Sequence, residues 1–99
     1  IIVSSFDIDF LLYFQMFAPH IPRASVHKFF PDDIYFLKTE LAIEAVHLDN
    51  DLIAASMDVT VFHQQGIKIR AWTVNDLSRA IALFDLGVDM VMSDYPEWI

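Results

Sequence analysis

The tightest constraint on the fold is the spacing of two short apolar segments near the end of the chain. Residues 68–75, running from Lys68 through Trp72 to Asn75, combine β-branched and aromatic side chains and stop at Asn75 and Asp76, which reads as a strand. Residues 87–93 form a second apolar strand, opened by Gly87 and closed by Asp94, Tyr95 and Pro96. Between them Leu77, Ala80, Ile81 and Phe84 recur at helical spacing. Asn75 or Asp76 can cap the start of that helix, and Gly87 stands where a C-terminal cap glycine belongs. Two strands joined by one short helix require a right-handed crossover and become parallel neighbours.

The rest of the chain repeats this unit. Residues 1–6 are a short apolar run in which Ile2, Ser4 and Phe6 share one face. Asp7 or Asp9 then caps a helix whose expected buried stripe is Phe10, Leu11, Phe14 and Phe17, ended by Pro19 and Pro22. Residues 23–28 give a weaker strand signal. Pro31 with Asp32 and Asp33 favours a helix start, with Ile34, Leu37 and Leu41 facing inward. Residues 43–48 read as a strand stopped by Asp49, Asn50 and Asp51. The same polar residues are expected to cap a helix through Gln65 that buries Leu52, Ala55, Val59 and Phe62, closed by Gly66. Strands alternating with helices, without repeat or linker, define an α/β chain with a parallel sheet. Half of a (β/α)8 barrel is the favoured architecture.

Composition narrows the function. Six basic residues against 14 acidic give a net charge of −8, and no basic stripe exists to neutralise phosphates, so nucleic acid is excluded as the expected partner. A hydrophobic share of 56% is high for 99 residues and suits strands covered on both faces. With no Cys there is no disulfide or thiolate site, and no apolar run of about 18 residues exists to span a membrane. Two glycines leave no Gly-rich phosphate loop, and no Gly-x-Ser-x-Gly is present.

In a parallel barrel, ligands bind at the carboxyl ends of the strands. Those ends are Ser5 to Asp7, Asp49 and Asn50, Trp72 to Asn75, and Ser93 to Tyr95. Trp72 either walls a pocket or fills the core. Alternation sets Lys68, Arg70 and Trp72 against Ile67, Ile69 and Ala71, and helices cover the apolar face, which turns Trp72 toward the barrel interior. Phe6 is a pocket wall or strand-end packing on equal terms. Asn75 is a substrate donor or a helix cap, capping being the commoner use. Asp94 helps a metal or orients a Lys of the barrel's other half, or equally forms a turn before Tyr95 and Pro96. An inward Arg70 needs an acidic partner, and this chain offers none that is evident. His47, Asp49, Asn50 and Asp51 suggest a metal site, yet the spacing lacks the Gly and terminal Glu of a Ca²⁺ loop, and a strand end with a cap accounts for them.

The two ends of the chain carry a resemblance. Trp72, Thr73, Val74 and Asn75, then a helix, then Gly87, Val88, Asp89 and Ser93 to Pro96, resemble the C-terminal end of the glycerophosphodiester phosphodiesterase family. Ser5, Phe6 and Asp7 are similar to its Ser-Phe strand. Met90 stands where the family usually has Gly, and Ser93 often replaces Thr. The resemblance implies parallel βα units forming the C-terminal half of a TIM-type barrel, which needs roughly 250 residues in all, so the N-terminal half is expected upstream. It implies a parent enzyme that hydrolyses glycerophosphodiesters to an alcohol and glycerol phosphate, using Ca²⁺ or Mg²⁺ held by carboxylates and a His pair. The family's His-Arg-Gly, Glu-x-Asp, His-Asp and Glu-x-Lys motifs are missing here, so no catalytic or metal residue carries over. What carries over is substrate-binding lining: Phe6, Trp72 and Asn75. A fragment cut this way exposes apolar faces and is expected to self-associate. Two alternatives stand beside it: a non-catalytic α/β interaction module, and a related phospholipase-type barrel.

Overall fold

The computed structural model describes residues 3–94. Ile1 and Ile2 of the expected first strand, and Tyr95 and Pro96 of the last motif, lie outside those residues. Five strands form one sheet: β1 (Val3–Ser5), β2 (Arg23–His27), β3 (Ala45–Asp49), β4 (Lys68–Trp72) and β5 (Met90–Val91). Every neighbouring pair is parallel, and the spatial order equals the chain order. Four helices alternate with them: α1 (Ile8–Phe17), α2 (Ile34–Thr39), α3 (Ser56–His63) and α4 (Leu77–Asp85).

The alternation along each strand decides where the core lies. Val46, Leu48, Ile69, Ala71 and Val91 are buried in one cluster with Leu11, Leu37, Val59, Phe62, Ala80 and Leu83 of the helices. All four helices therefore cover the same sheet face. The register pairs His47 with Arg70 and Arg70 with Met90, so these side chains share the opposite face. A doubly wound sheet carries helices on both faces and reverses its strand order. A sheet in sequential order with helices on one face is a barrel wall, and the expected architecture holds.

Local chemistry sets the boundaries. Asp7, Asp33 and Asp76 cap α1, α2 and α4, each carboxylate accepting a first-turn N–H. At the end of α4, Gly87 N–H bonds Phe84 O and Val88 N–H bonds Leu83 O, a Schellman pair that needs the Gly87 φ of +103°.

Three expectations fail. In α1 only Leu11 is buried, while Phe10 and Phe17 are 44% and 69% exposed. In α4 Ala80 and Leu83 face the sheet, and Leu77, Ile81 and Phe84 are exposed. Helical periodicity reports an apolar arc, and these arcs are wider than the strip the sheet covers; the surplus belongs to the flanks, where barrel helices meet their neighbours. Third, Asp49 to Asp51 do not open α3. The Asp49 carboxylate accepts from Asp51 N and closes a 3-10 turn over Asn50–Leu52. The helix begins at Ser56, where Asp58 reaches back to the N–H groups of Ala54 and Ala55, which leaves Ala55 exposed.

Candidate functional site

The carboxyl ends of β1, β2, β3 and β4 and the segment after β5 meet around a cavity of about 370 Å³, lined by Phe6, Val26, His47, Trp72, Thr73 and Met92. Trp72 ends β4 on the helix-free face. Its Nε1–H donates to the His47 carbonyl at 3.0 Å, which fixes the ring plane across two strands. Phe6, 57% exposed just past β1, meets the Trp72 ring edge-to-face with centroids 6.3 Å apart. The structure thus brings together two of the three residues expected from sequence.

Asn75 does not take the capping role. Asp76 is the cap of α4. The Asn75 Oδ1 accepts from Ser93 Oγ and Asp94 N, and its Nδ2 donates to Asp94 Oδ2, so Asn75 and Asp94 tie the loop after β4 to the segment after β5. One amide N–H of Asn75 is left over.

A second cavity of about 530 Å³ opens beside the first, lined by His27, Lys28, Phe29, Phe30, Pro31 and Asp32, with Phe6 and Val26 as the shared wall. The loop after β2 thus adds both charges and aromatic faces to the mouth.

Below Trp72 on the same strand face, Arg70 donates from Nη1 to His47 Nε2 at 3.2 Å. The acidic partner expected for an inward Arg70 is therefore an imidazole, which accepts only when neutral. Burial first, and the Arg70 charge second, push His47 down to about 4. Burial also lowers His27, whose Nε2 lies 2.7 Å from the buried Ser25 hydroxyl. Among the described residues no cluster of three His, Asp or Glu side chains is placed to hold a cation. No helix among them is long and apolar enough to cross a membrane.

The rim is braced by residues that spacing does not reveal. Arg79 of α4 donates to Asn50 Oδ1, Asn50 O and Ile53 O, and Asn50 Nδ2 in turn donates to Trp72 O and Thr73 O. Asn50 and Arg79 lie 29 positions apart, and no local pattern links them. Val26 and Met92 were legible by parity alone: each shares a strand face with a residue already turned inward.

A one-sided parallel wall with an aromatic pocket at its carboxyl edge defines a segment of a (β/α)8 barrel with a ligand mouth. Residues 1–98 match the glycerophosphoryl diester phosphodiesterase family, and the chain belongs to it. Among solved structures it is similar to a phosphodiesterase from Oleispira antarctica in complex with the product sn-glycerol-3-phosphate, with 28% identity and a TM-score of 0.91 over 99% of this chain and 39% of that one. A glycerophosphodiester phosphodiesterase from Parabacteroides distasonis shares the fold at 24% identity and TM-score 0.80, covering 95% of this chain and 39% of its own. A putative glycerophosphodiester phosphodiesterase from Galdieria sulphuraria does so at 17% and 0.85, covering 97% and 41%. The chain thus spans about two fifths of the length of these relatives. No curated protein matches it.

Proposed function

We propose that residues 1–99 are part of a phosphodiesterase that hydrolyses glycerophosphodiesters to an alcohol and glycerol phosphate, and that this part supplies pocket lining. The carrying observation is the Phe6–Trp72 pair over a largely apolar cavity at the barrel's carboxyl edge, in a fold shared with a phosphodiesterase holding sn-glycerol-3-phosphate. Two rings set edge-to-face present apolar surface that suits the carbon skeleton of glycerol, and burying that skeleton orients the phosphorus without charge. In this reading Phe6 and Trp72 wall the glycerol, while Asn75 holds the segment after β5 against the rim and offers its remaining N–H to the ligand.

Among the described residues no group of side chains is placed to hold a cation. Ca²⁺ or Mg²⁺, and the groups that move protons, enter this reading only through residues outside positions 1–99. Hydrolysis adds water across the phosphorus–oxygen ester bond; Phe6 and Trp72 contribute orientation to it and the exclusion of bulk water.

The test compares two proteins. Residues 1–99 alone are expected to release no glycerol phosphate from glycerophosphocholine with either cation. The whole protein that carries them is expected to release it, with Trp72→Ala raising KM at least ~10-fold, equivalent to ~1.4 kcal/mol of lost ligand contact. A whole protein inert toward glycerophosphodiesters of several headgroups, with both cations supplied, overturns the reading.

A further inference from the structure

His47 is the one ionisable side chain on the wall of the 370 Å³ cavity. Its position follows from the register: opposite Val26 on one side and Arg70 on the other, on the helix-free face of β3. Arginine carries donors only, so the 3.2 Å contact from Arg70 Nη1 makes His47 Nε2 the acceptor and puts the ring proton on Nδ1. That Nδ1 has no partner among the described residues, and no buried side-chain nitrogen or oxygen there lacks one. The donor is therefore open rather than sealed in the core. Arg70 itself is not on the cavity wall, so its charge stands behind the imidazole and not in the pocket.

We propose that His47 reads an uncharged hydroxyl of the bound ligand, donating from Nδ1 while Arg70 occupies Nε2 and fixes that tautomer. The inference rests on the phosphodiesterase reading and deepens it: the ligand class is a polyol phosphate whose hydroxyl lies against the wall of Phe6, Trp72 and His47. Three features select a hydroxyl over a phosphoryl oxygen. The surrounding wall of Phe6, Val26, Trp72 and Met92 is apolar, which makes burial of an anion costly. A neutral N–H matches a neutral acceptor. The guanidinium directly opposite on β4 opposes a second positive charge on the ring, so the donor stays neutral. His47 is also backed by its own carbonyl, which receives the Trp72 indole and holds ring and imidazole in one frame. A site built to bond a hydroxyl discriminates strongly against an analogue lacking it, because the donor is then left unpaired.

The experiment uses the whole protein with histidine labelled in both ring nitrogens, and titrates glycerol 3-phosphate against propyl phosphate, which has the same carbons and no free hydroxyl. Wild-type protein is expected to show the Nδ1–H tautomer at His47 and to bind glycerol 3-phosphate at least ~10-fold more tightly. His47→Phe is expected to erase that preference by weakening glycerol 3-phosphate alone. His47→Asn, whose amide places an N–H near the Nδ1 position, should restore most of it. Arg70→Met frees Nε2 and should mix the tautomers. An Nε2–H tautomer in the wild type overturns the proposal, as does equal loss of both ligands in His47→Phe, or a preference that survives it. Failure of the wild type to bind either phosphate at any concentration tested strikes instead at the phosphodiesterase reading itself.

Discussion

Arg23 is 4% exposed at the start of β2, and among the described residues no carboxylate lies within 4 Å of it. Its guanidinium donates to Leu41 O at 3.3 Å, to Pro19 O at 3.3 Å and to Ile21 O at 3.0 Å. It therefore knots the approach to β2 and the end of the α2 region at the amino edge of the sheet, opposite the ligand mouth. Arg23→Met keeps much of the volume and removes every donor. The Leu41 carbonyl belongs to a fully buried residue and loses its partner outright, a cost of ~1–3 kcal/mol. Pro19 and Ile21 lie on more open chain and regain water, adding at most about 1 kcal/mol together. The net loss should be about 2–3 kcal/mol, which in a barrel-sized domain lowers the thermal midpoint by about 4–12 °C. Arg23→Lys, with one donor centre in place of a fork, should fall between. The assay is thermal unfolding followed by circular dichroism, paired with release of glycerol phosphate well below the midpoint. Midpoint falls and KM holds, because amino-edge residues stabilise barrels while carboxyl-edge residues bind ligands. A stable Arg23→Met protein, or one with unchanged midpoint and raised KM, would refute the division of labour.

Three further outcomes follow from the structure. Gly87→Ala places an L residue at φ +103° with its Cβ 3.4 Å from Val59 Cγ1, and should cost more than the ~1–2 kcal/mol of an ordinary left-handed residue; Gly66→Ala, at +71° against the mobile tip of Lys38, should cost less, as urea midpoints would show. His47 and His27 are held neutral below their ordinary range, so the unfolded chain binds more protons than the folded one. The stability they contribute is complete above about pH 6.5 and drains away as the pH falls, for His47 toward about 4, and His47→Asn should flatten that part of a stability–pH curve. Residues 1–99 alone expose Tyr13, Met16 and Phe17 of α1 at 62%, 77% and 69%, and should elute above monomer mass on light-scattering chromatography; a clean monomer that binds no hydrophobic dye would contradict the exposed flank.

Legibility in the sequence followed the range of the interaction. Period-two alternation in residues 67–72 separates Ile69 and Ala71 from Arg70 and Trp72, and the structure buries the first pair completely. That parity needs only the backbone geometry of one strand. Gly87 was equally legible, because a positive φ at a helix end is a local demand. The stripes of α1 and α4 misled because periodicity counts apolar side chains without saying which element covers them. Phe10 and Phe17 are as apolar as Leu11 and face away from the sheet. Asp49 illustrates a different limit: its carboxylate satisfies Asp51 N two residues on, and that local bond outcompeted the longer helix the composition suggested.

The least legible part was the site's polar frame, and the reason is topological. His47, Arg70 and Trp72 meet only because β3 and β4 are parallel with Val46 opposite Ile69; a shift of one residue would turn His47 under the helices. No pattern within either strand contains that register. It is set by the βα crossover through α3 and by the backbone bond from Lys68 N to Glu44 O. The same register that puts Arg70 on His47 aligns His47 O with the indole N–H. One alignment therefore fixes both the tautomer of the imidazole and the plane of the aromatic wall, and Trp72→Phe, which removes the indole N–H from the His47 carbonyl, should disturb the ring shifts of His47.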